Sequence, residues 1–337
     1  MNYILKNENS IYYECGYSND NSIFLSIENN FYLFTDGRYS IEAKESTTNI
    51  NIIISSDIIS AVKKTIKKSK IKKIYFDPKE WSVFEFNKIS TATLFKAKID
   101  FSHKKRIIKN NLEIELLKKA VSLGANAFDK LSKEIDLNGY GLDEYRLTDI
   151  ASSILSNSGL YQLSFDPIVA LNHNSAKPHA MPTSTKLKKG DTLLVDAGLK
   201  YKRYCSDRTR TAFIKDGFNF NTDQKFKQKK IQKAYDCVLK AHDVAISKAR
   251  SGMKANKIDA LARDVITKAG FGKYFVHSTG HGVGLDIHEM PYISSRSKTK
   301  IEDNMVYTIE PGIYIPNEFG IRIEDMVVMK DSKAIVL

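Results

Sequence analysis

The sequence has 337 residues, 42% of them hydrophobic and 27% charged, which is typical of folded globular proteins and not of disordered, collagenous or coiled-coil chains. This length predicts about two domains. The net charge of +13 is spread nearly evenly, with 16 basic and 12 acidic side chains in residues 1–105, and lysine supplies 42 of the 52 basic residues. We therefore expect a solvated, lysine-rich surface and no nucleic-acid partner, because base recognition relies mainly on arginine and on clustered charge.

The apolar runs are far shorter than the roughly 20 residues needed to span a bilayer. The first ten residues alternate polar and apolar side chains without a signal-peptide core. The cysteines, Cys15, Cys205 and Cys237, are odd in number and widely spaced, so a disulfide framework is not expected. These features predict a cytoplasmic protein with no membrane partner.

The first part of the chain has the pattern of a small α/β domain. Short apolar stretches separated by turn formers predict a hairpin over residues 22–39. Strands are expected at 50–54 and 74–76, with a helix over 58–68. Residues 102–108 are polar and basic, which indicates a linker and a domain boundary near residue 105.

The second part has the pattern of a strand-rich core with helices outside it. Apolar residues recur at helical spacing from Leu112 to Leu131. The further elements expected are helices at 143–157, 223–250 and 256–269, and strands at 168–171, 192–197, 210–214, 305–309 and 321–328. The order of elements is not a strict βαβ alternation, so the fold class is α+β, with domains at 1–105 and 106–337.

Carboxylates in the second part occupy unusual positions. Asp196 and Glu310 end apolar strands, Asp207 follows eleven residues after Asp196, and Glu324 lies within the apolar stretch 321–328. A carboxylate desolvated alone costs several kcal/mol, so these side chains need cations or strong hydrogen-bond donors. A metal ion is the simplest single partner for all four carboxylates.

Residues 277–289 contain three of the seven histidines, His277, His281 and His288. Gly280, Gly282 and Gly284 make a helix here improbable. We expect them instead to let the backbone pass close to a bound group. The string contains no HExxH motif and does not match the GxGxxG dinucleotide loop.

Four carboxylates and one imidazole form a hard ligand set, which suits Mn²⁺, Co²⁺ or Zn²⁺ in pairs and not a thiolate-rich structural zinc site. Two divalent ions balance four carboxylates, whereas one would leave a large negative charge. A metal pair activates a shared water, so the chemistry indicated is hydrolysis.

Other polar residues have simpler interpretations. We interpret His242, on an amphipathic helix, and His103, in the basic segment, as surface or packing residues. Cys205 has no positioned base nearby in the sequence and is interpreted as a structural thiol.

Taken together, the sequence strings resemble the metallopeptidases of the pita-bread fold, the aminopeptidase P and prolidase group. The matching strings, in family order, are Leu194-Val195-Asp196-Ala197-Gly198, Ser206-Asp207 through Thr209-Arg210-Thr211, His277 through Glu289 with Pro291, Ile309 through Tyr314, and Gly320 through Asp325. Thr35-Asp36-Gly37-Arg38-Tyr39 looks like a string of the family's creatinase-like amino-terminal domain. Arg208 departs from the pattern, because an apolar residue is expected there.

The resemblance implies a role for each matching position. Asp196 would hold one ion, Asp207 and Glu324 would bridge two, and His281 with Glu310 would complete the other. His277 and His288, with His179 in the further matching string Lys177-Pro178-His179-Ala180, would contact the substrate or stabilise the tetrahedral intermediate. Arg322 would support the site, and Glu310 would also carry a proton.

The implied activity is hydrolysis of the bond between an N-terminal residue and a following proline, by a hydroxide bridging two divalent ions, with Mn²⁺ as first choice and Co²⁺ or Zn²⁺ as alternatives. The implied partners are peptides with proline at the second position and a second copy of the chain, whose site the amino-terminal domain would cap. Alternatives are methionine-type or broader aminopeptidases, creatinase-like chemistry, and a non-catalytic binding protein. The complete ligand set and the extra amino-terminal region count against these alternatives.

Overall fold

The computed structural model describes residues 1–90 and 93–337. The chain divides into two compact units, Met1–Arg106 and Ile107–Leu337.

The first unit is built on a mixed sheet with strand order β4-β3-β2-β1-β5-β6. Its strands are β1 Tyr3–Leu5, β2 Ile23–Ile27, β3 Asn30–Thr35, β4 Asn51–Ile54, β5 Lys73–Phe76 and β6 Leu94–Ala97. Its helices are α1 Glu8–Cys15, α2 Ser40–Ser46, α3 Ile58–Ser69, α4 Val83–Ile89 and α5 Phe101–Arg106.

The predicted hairpin is confirmed as β2 and β3, which pair antiparallel with Ile23 opposite Phe34. Their turn places Glu28 and Asn29 at positive φ, which suits a two-residue hairpin loop. The linker expected at 102–108 is wrong. Phe101 and Arg106 are buried within α5, and the Phe101 ring lies 5.6 Å from that of Tyr3, so burial of Phe101 outweighs the polar composition that follows it.

The second unit contains antiparallel sheets of order β11-β8-β7 and β13-β12-β14-β17-β18, with the smaller pairs β9-β10 and β15-β16. Its helices are α6 Asn111–Asn138, α7 Glu144–Leu155, α8 Lys229–Lys248 and α9 Ala255–Lys268. Its strands are β7 Ile168–Leu171, β8 Thr192–Ala197, β9 Lys200–Tyr201, β10 Tyr204–Cys205, β11 Arg208–Phe213, β12 Gly280–Gly282, β13 Glu289–Ile293, β14 Val306–Ile309, β15 Gly312–Ile315, β16 Phe319–Arg322, β17 Asp325–Lys330 and β18 Lys333–Val336.

Two hydrophobic clusters bury these sheets against helices. In one, Phe128 of α6 and Leu147 of α7 lie with Val195 of β8. In the other, Val238 of α8 lies with Tyr307 of β14. Burial of these apolar faces leaves the polar ends of the strands to form a site.

Two predicted elements of this unit differ from the structure. The helix expected over 223–250 begins only at Lys229, because the Gln224 side chain accepts a hydrogen bond from Phe213 N and donates to Asn219 O. The single strand expected over 321–328 is two strands. β16 pairs with β15, whereas β17 pairs with β14, and Glu324 lies between them.

Among residues 1–90 and 93–337, no helix combines the length and apolar character that crossing a bilayer requires.

Candidate metal centre

Five predicted ligands lie at strand ends or in the breaks between strands. Asp196 is near the end of β8, directly opposite Thr209 of β11. Asp207 precedes β11, His281 lies in β12, Glu310 separates β14 from β15, and Glu324 separates β16 from β17. Antiparallel pairing therefore gathers residues that are far apart in the chain.

The ligand atoms of Asp207, His281 and Glu324 all lie within 4.8 Å of one another. His281 Nε2 is 3.6 Å from Asp207 Oδ2 and 3.3 Å from Glu310 Oε1. Asp196 lines the same cavity as these residues. The structure thus brings all five predicted ligands together.

Burial raises the pKa of Asp207 and of Glu324 well above the usual range, and the neighbouring carboxylates raise both further. Burial also raises the pKa of Glu310 and lowers the pKa of His281, which favours the neutral imidazole. Four carboxylates beside a neutral imidazole need more positive charge than Arg322, which also lines the cavity, can supply. Divalent cations would supply it.

One buried oxygen tests whether the site fits a cation. Asp196 Oδ2 accepts a hydrogen bond from Arg322 Nη2 at 2.5 Å, whereas Asp196 Oδ1 is buried with no hydrogen-bond partner among the described residues. Buried polar atoms are normally satisfied, so an orphaned carboxylate oxygen facing this donor set fits a cation ligand. Oxygen donors with a single imidazole suit Mn²⁺, Co²⁺ or Zn²⁺.

A hydrogen-bonded chain links the predicted ligand Asp196 to the predicted catalytic residue His277. Arg322 donates from Nη1 to the Tyr314 hydroxyl at 2.7 Å. That hydroxyl lies 2.9 Å from His277 Nε2, and His277 Nδ1 lies 2.8 Å from Ser278 O. Burial raises the pKa of Tyr314 to about 12 and lowers the pKa of His277. The phenol therefore stays protonated and can donate a hydrogen bond to a neutral imidazole.

The remaining predicted residues line a cavity of about 670 Å³ together with the five candidate ligands. His288 packs edge-on against His281, with 4.3 Å between ring centroids, and burial lowers the pKa of His288. His179 lies on the same wall, where Pro178 O accepts from Arg322 Nη1 at 3.2 Å. The cavity also has apolar and aromatic lining residues, namely Phe165, Pro167, Met181, Pro182, Ile287 and Tyr292.

Comparison with known proteins agrees with this arrangement. The model of metallopeptidase family M24 matches residues 115–331. The chain belongs to metallopeptidase family M24. The creatinase/prolidase N-terminal domain matches residues 2–106, so the predicted fold class, a creatinase-like domain followed by a pita-bread metallopeptidase domain, is confirmed. Membership in family M24 makes the chain a peptidase and implies divalent metal ions.

Other members of family M24 are similar along most of the chain. An Xaa-Pro dipeptidase of Pyrococcus furiosus is 37% identical over 252 residues, which is 75% of this chain and 69% of that protein. The structure of an Xaa-Pro dipeptidase from Bacillus anthracis has a TM-score of 0.91 at 31% identity and covers 99% of this chain and 92% of that one. The X-Pro aminopeptidase from Thermotoga maritima has a TM-score of 0.88 at 32% identity and covers 99% and 94%.

Arg208, the departure from the M24 pattern, is accommodated by its surroundings. Its guanidinium lies 5.8 Å from the centre of the Phe128 ring and 3.7 Å from Asp325 Oδ1. The same aspartate accepts from Arg210 Nη2 at 2.7 Å. An arginine can therefore replace an apolar residue here by stacking on an aromatic ring and pairing with a carboxylate.

Two residues that are not candidate ligands, His242 and Cys205, have the environments expected of structural side chains. His242 is buried, and its Nε2 lies 3.2 Å from Asp325 Oδ2. Burial opposes its charge, but hydrogen bonds to Asp243 and Asp325 raise the pKa of His242 overall. Burial raises the pKa of Cys205 to about 11, so it remains a thiol and not a nucleophile.

Sequence reasoning did not assign a role to two hydroxyl-bearing residues of the site, although both lie in the family strings. Tyr314 links Arg322 to His277, as described above. Thr209 donates from Oγ1 to Glu324 Oε2 at 2.6 Å and accepts from Arg322 Nε at 3.0 Å. Thr209 is 113 residues from Arg322 and 115 from Glu324, and Tyr314 is 37 residues from His277, so sequence spacing gives no signal for these contacts.

Proposed function

We propose that this M24 chain hydrolyses the bond between an N-terminal residue and a following proline, using two divalent ions held by Asp196, Asp207, His281, Glu310 and Glu324. The observation that carries this proposal is the convergence of four carboxylates and one imidazole on a cavity where Asp196 Oδ1 has no hydrogen-bond partner among the described residues. The relatives named as Xaa-Pro dipeptidase and X-Pro aminopeptidase support the substrate class.

In this proposal Asp196 would hold one ion, His281 and Glu310 would hold the other, and Asp207 and Glu324 would be ligands of both. When bound, the ions would neutralise the carboxylates, lower the pKa of a water shared between them and polarise the peptide carbonyl. We take Mn²⁺ as the first choice, with Co²⁺ and Zn²⁺ compatible with the same donors.

Glu310 is the proposed proton carrier. It lines the cavity beside His281, within reach of a water and a peptide bound there, as a general acid and base must be. Thr308 Oγ1 donates to Glu310 Oε1 at 3.2 Å, and Glu310 Oε2 lies 4.0 Å from His277 Nδ1. A carboxylate held in this way can take a proton from the attacking water and deliver it to the proline nitrogen as the peptide bond breaks.

In this proposal the histidines bind the substrate, and Arg322 orients the groups around it. His179, His277 and His288 line the cavity and would contact the peptide or the oxygen on which negative charge develops. Arg322 holds Asp196 and, through Tyr314, the His277 ring. The apolar lining would shelter the proline ring, whose tertiary amide offers no N–H to satisfy.

The experiment is a mass-spectrometric assay of the metal-loaded protein on an Xaa-Pro dipeptide, an Xaa-Pro-Xaa tripeptide and a Met-Gly tripeptide. Cleavage of only the dipeptide would indicate a dipeptidase, and cleavage of the proline tripeptide an aminopeptidase. Cleavage of the methionyl peptide alone would overturn the proline assignment. No cleavage with metal bound would favour a binding protein.

Two glutamates close in sequence provide the matched variants for that assay. Glu324→Gln should abolish cleavage and lower the metal content measured by elemental analysis. Glu318→Gln is the control, because Glu318 pairs with Lys230 at the surface and lies outside the cavity lining. Wild-type protein that never takes up more than a trace of metal would contradict the metal-centre proposal.

We also propose that residues 1–105 form an amino-terminal domain, that 106–337 form the catalytic domain, and that the protein is a cytoplasmic homodimer. In this arrangement the amino-terminal domain caps the partner subunit's site and limits substrate length. The match of residues 2–106 to the creatinase/prolidase N-terminal domain supports the assignment of an amino-terminal domain. Sedimentation would test the dimer, and a monomer with full activity would contradict the capping role.

A further inference from the structure

Helix α9 carries an ion pair that contacts the segment bearing His277. Asp259 and Arg263 are one helical turn apart, and Arg263 donates to both oxygens of the Asp259 carboxylate, from Nε at 2.8 Å and from Nη2 at 2.9 Å. The Asp259 side chain is 2% exposed and that of Arg263 is 29% exposed. Two parallel bonds in a largely buried setting fix the direction of the guanidinium.

Arg263 also binds the backbone on the amino-terminal side of the histidine and at the histidine itself. Its Nη1 donates to Phe275 O at 3.1 Å, and its Nη2 donates to His277 O at 2.8 Å. The guanidinium lies 4.2 Å from the centre of the Phe275 ring, close enough for a cation–π contact. Phe275 in turn packs edge-on against the His277 ring at 5.2 Å.

Asp259 binds the backbone on the other side of the histidine. Its Oδ1 accepts from Thr279 N at 3.2 Å and from Thr279 Oγ1 at 2.8 Å. Thr279 O accepts from Glu310 N at 2.8 Å. The pair on α9 is therefore connected to the proposed proton carrier as well as to His277.

Residues 275–279 have neither helical nor strand structure, so no ladder of backbone bonds sets their position. The contacts with Asp259 and Arg263 occur on both sides of His277. They are directed at backbone atoms, whereas Tyr314 and Ser278 hold the ring of the same histidine. Backbone and ring are thus fixed by separate groups.

We propose that Asp259 and Arg263 are positioning residues for the reaction, which set the place of His277 and, through Thr279, that of Glu310. The kinetic consequence rests on the function proposed above. The geometric consequence does not, because it concerns where the His277 ring lies in the protein. A displacement of a catalytic group by a fraction of an ångström lowers turnover while leaving substrate binding largely intact.

The test compares Arg263→Gln, Arg263→Lys and Thr279→Val with Arg250→Gln as the control. Arg250 also donates to two backbone carbonyls, Ser247 O and Ala249 O, each at 2.7 Å, but it has no contact with residues 275–279 in the described structure. Arg250→Gln therefore removes an arginine that donates to backbone carbonyls, as Arg263→Gln does, but it should not displace His277.

Two readouts are needed. The first is the ¹H–¹³C NMR signal of the His277 ring in metal-free protein, assigned by its loss in His277→Gln. It should shift or split in Arg263→Gln and Thr279→Val and stay unchanged in Arg250→Gln. The second is steady-state hydrolysis of an Xaa-Pro tripeptide by metal-loaded protein. Arg263→Gln should lower kcat by about tenfold with KM changed less than about twofold, and Arg263→Lys should recover part of the loss.

The proposal is overturned if Arg263→Gln changes the His277 signal and kcat no more than Arg250→Gln does. If Arg263→Gln fails to fold, Arg263→Lys and Thr279→Val decide the question by the same two readouts. If the wild-type protein cleaves no Xaa-Pro peptide but the His277 signal responds as expected, the proposed function fails and the positioning role stands.

Discussion

A buried ion pair next to the site provides a prediction about stability. Lys109 Nζ pairs with Glu289 Oε1, and the two side chains are 1% and 3% exposed. Glu289 follows His288 and begins β13, while Lys109 N donates to Asn304 O at 2.9 Å. The pair therefore connects the start of the second unit to β13, the strand that directly follows His288.

Lys109→Met removes the cation and keeps most of the side-chain length. Glu289 then becomes a buried charge without its cation, and its second oxygen, Oε2, already has no hydrogen-bond partner among the described residues. Breaking a buried pair in this way costs about 3–5 kcal/mol of the free energy of unfolding. The exposed pair Lys118–Glu115 is the matched control, since Lys118→Met should cost at most about 1 kcal/mol.

The assay is urea unfolding of metal-free protein followed by far-UV circular dichroism, so that ion binding does not contribute to stability. The double variant Lys109→Met with Glu289→Gln should recover much of the loss, because it removes the unpaired charge as well as its partner. The reasoning is refuted if Lys109→Met costs no more than Lys118→Met, or if the double variant is as unstable as the single one.

Three further outcomes follow from the site. Because burial raises the pKa of Asp207 and Glu324, these groups hold protons at a pH where free carboxyls are ionised, so Mn²⁺ uptake should release protons and weaken as pH falls. Calorimetry in buffers of different ionisation enthalpy checks this, and identical heats in all of them would contradict it. Tyr314→Phe should lower kcat at least about tenfold without changing metal content, since it removes the hydroxyl bonded to Arg322 and His277, and a hydrogen bond to a charged group is worth about 1.5–3 kcal/mol. Turnover equal to wild type would show that the hydroxyl is dispensable. Gly280→Ala should lower both metal content and melting temperature, because a Cβ there would lie 1.9 Å from Thr308 O. Gly37→Ala, with no atom within 4 Å of an added Cβ, is its control, and equal metal content in the two variants would refute the steric argument.

Local patterns were sufficient to predict elements whose buried residues are regularly spaced. The hairpin of β2 and β3 has apolar strands on either side of a turn, and helix α3 buries Ile58, Val62 and Ile66 at a four-residue spacing. In both cases the residues that form the element also determine which side is buried. The same reasoning located β7, β8 and α6.

Patterns failed where an element is interrupted by a hydrogen bond to the backbone of a distant strand. The break between β16 and β17 is invisible in the apolar stretch 321–328, because it depends on Glu324 N donating to Thr209 O of β11, at 3.1 Å, and not to β14 or β15. Gln224 likewise holds its segment in a loop through Phe213 N. Long-range partners of this kind outweigh local propensity.

The candidate site was recognisable because nine residues lie in distinctive strings. The residues that position the site were not recognisable. Asp259 and Arg263 lie in an ordinary amphipathic helix, and an ion pair at i,i+4 spacing is common on exposed helix surfaces. Only the packing of α9 against residues 275–279 distinguishes them. Sequence spacing can identify donors to a metal more readily than the groups that hold those donors in place.

The pairing of Asp196 with Thr209, and of Thr209 with Glu324, has a consequence for the order of folding. Thr209 Oγ1 and Glu324 Oε2 are 115 residues apart in the chain, and Arg322 and Asp196 are 126 apart. Contacts of such high contact order form late, after the entropy of closing long loops has been overcome. Cation uptake would then follow the assembly of the second unit and would hold its last strands together once they had met.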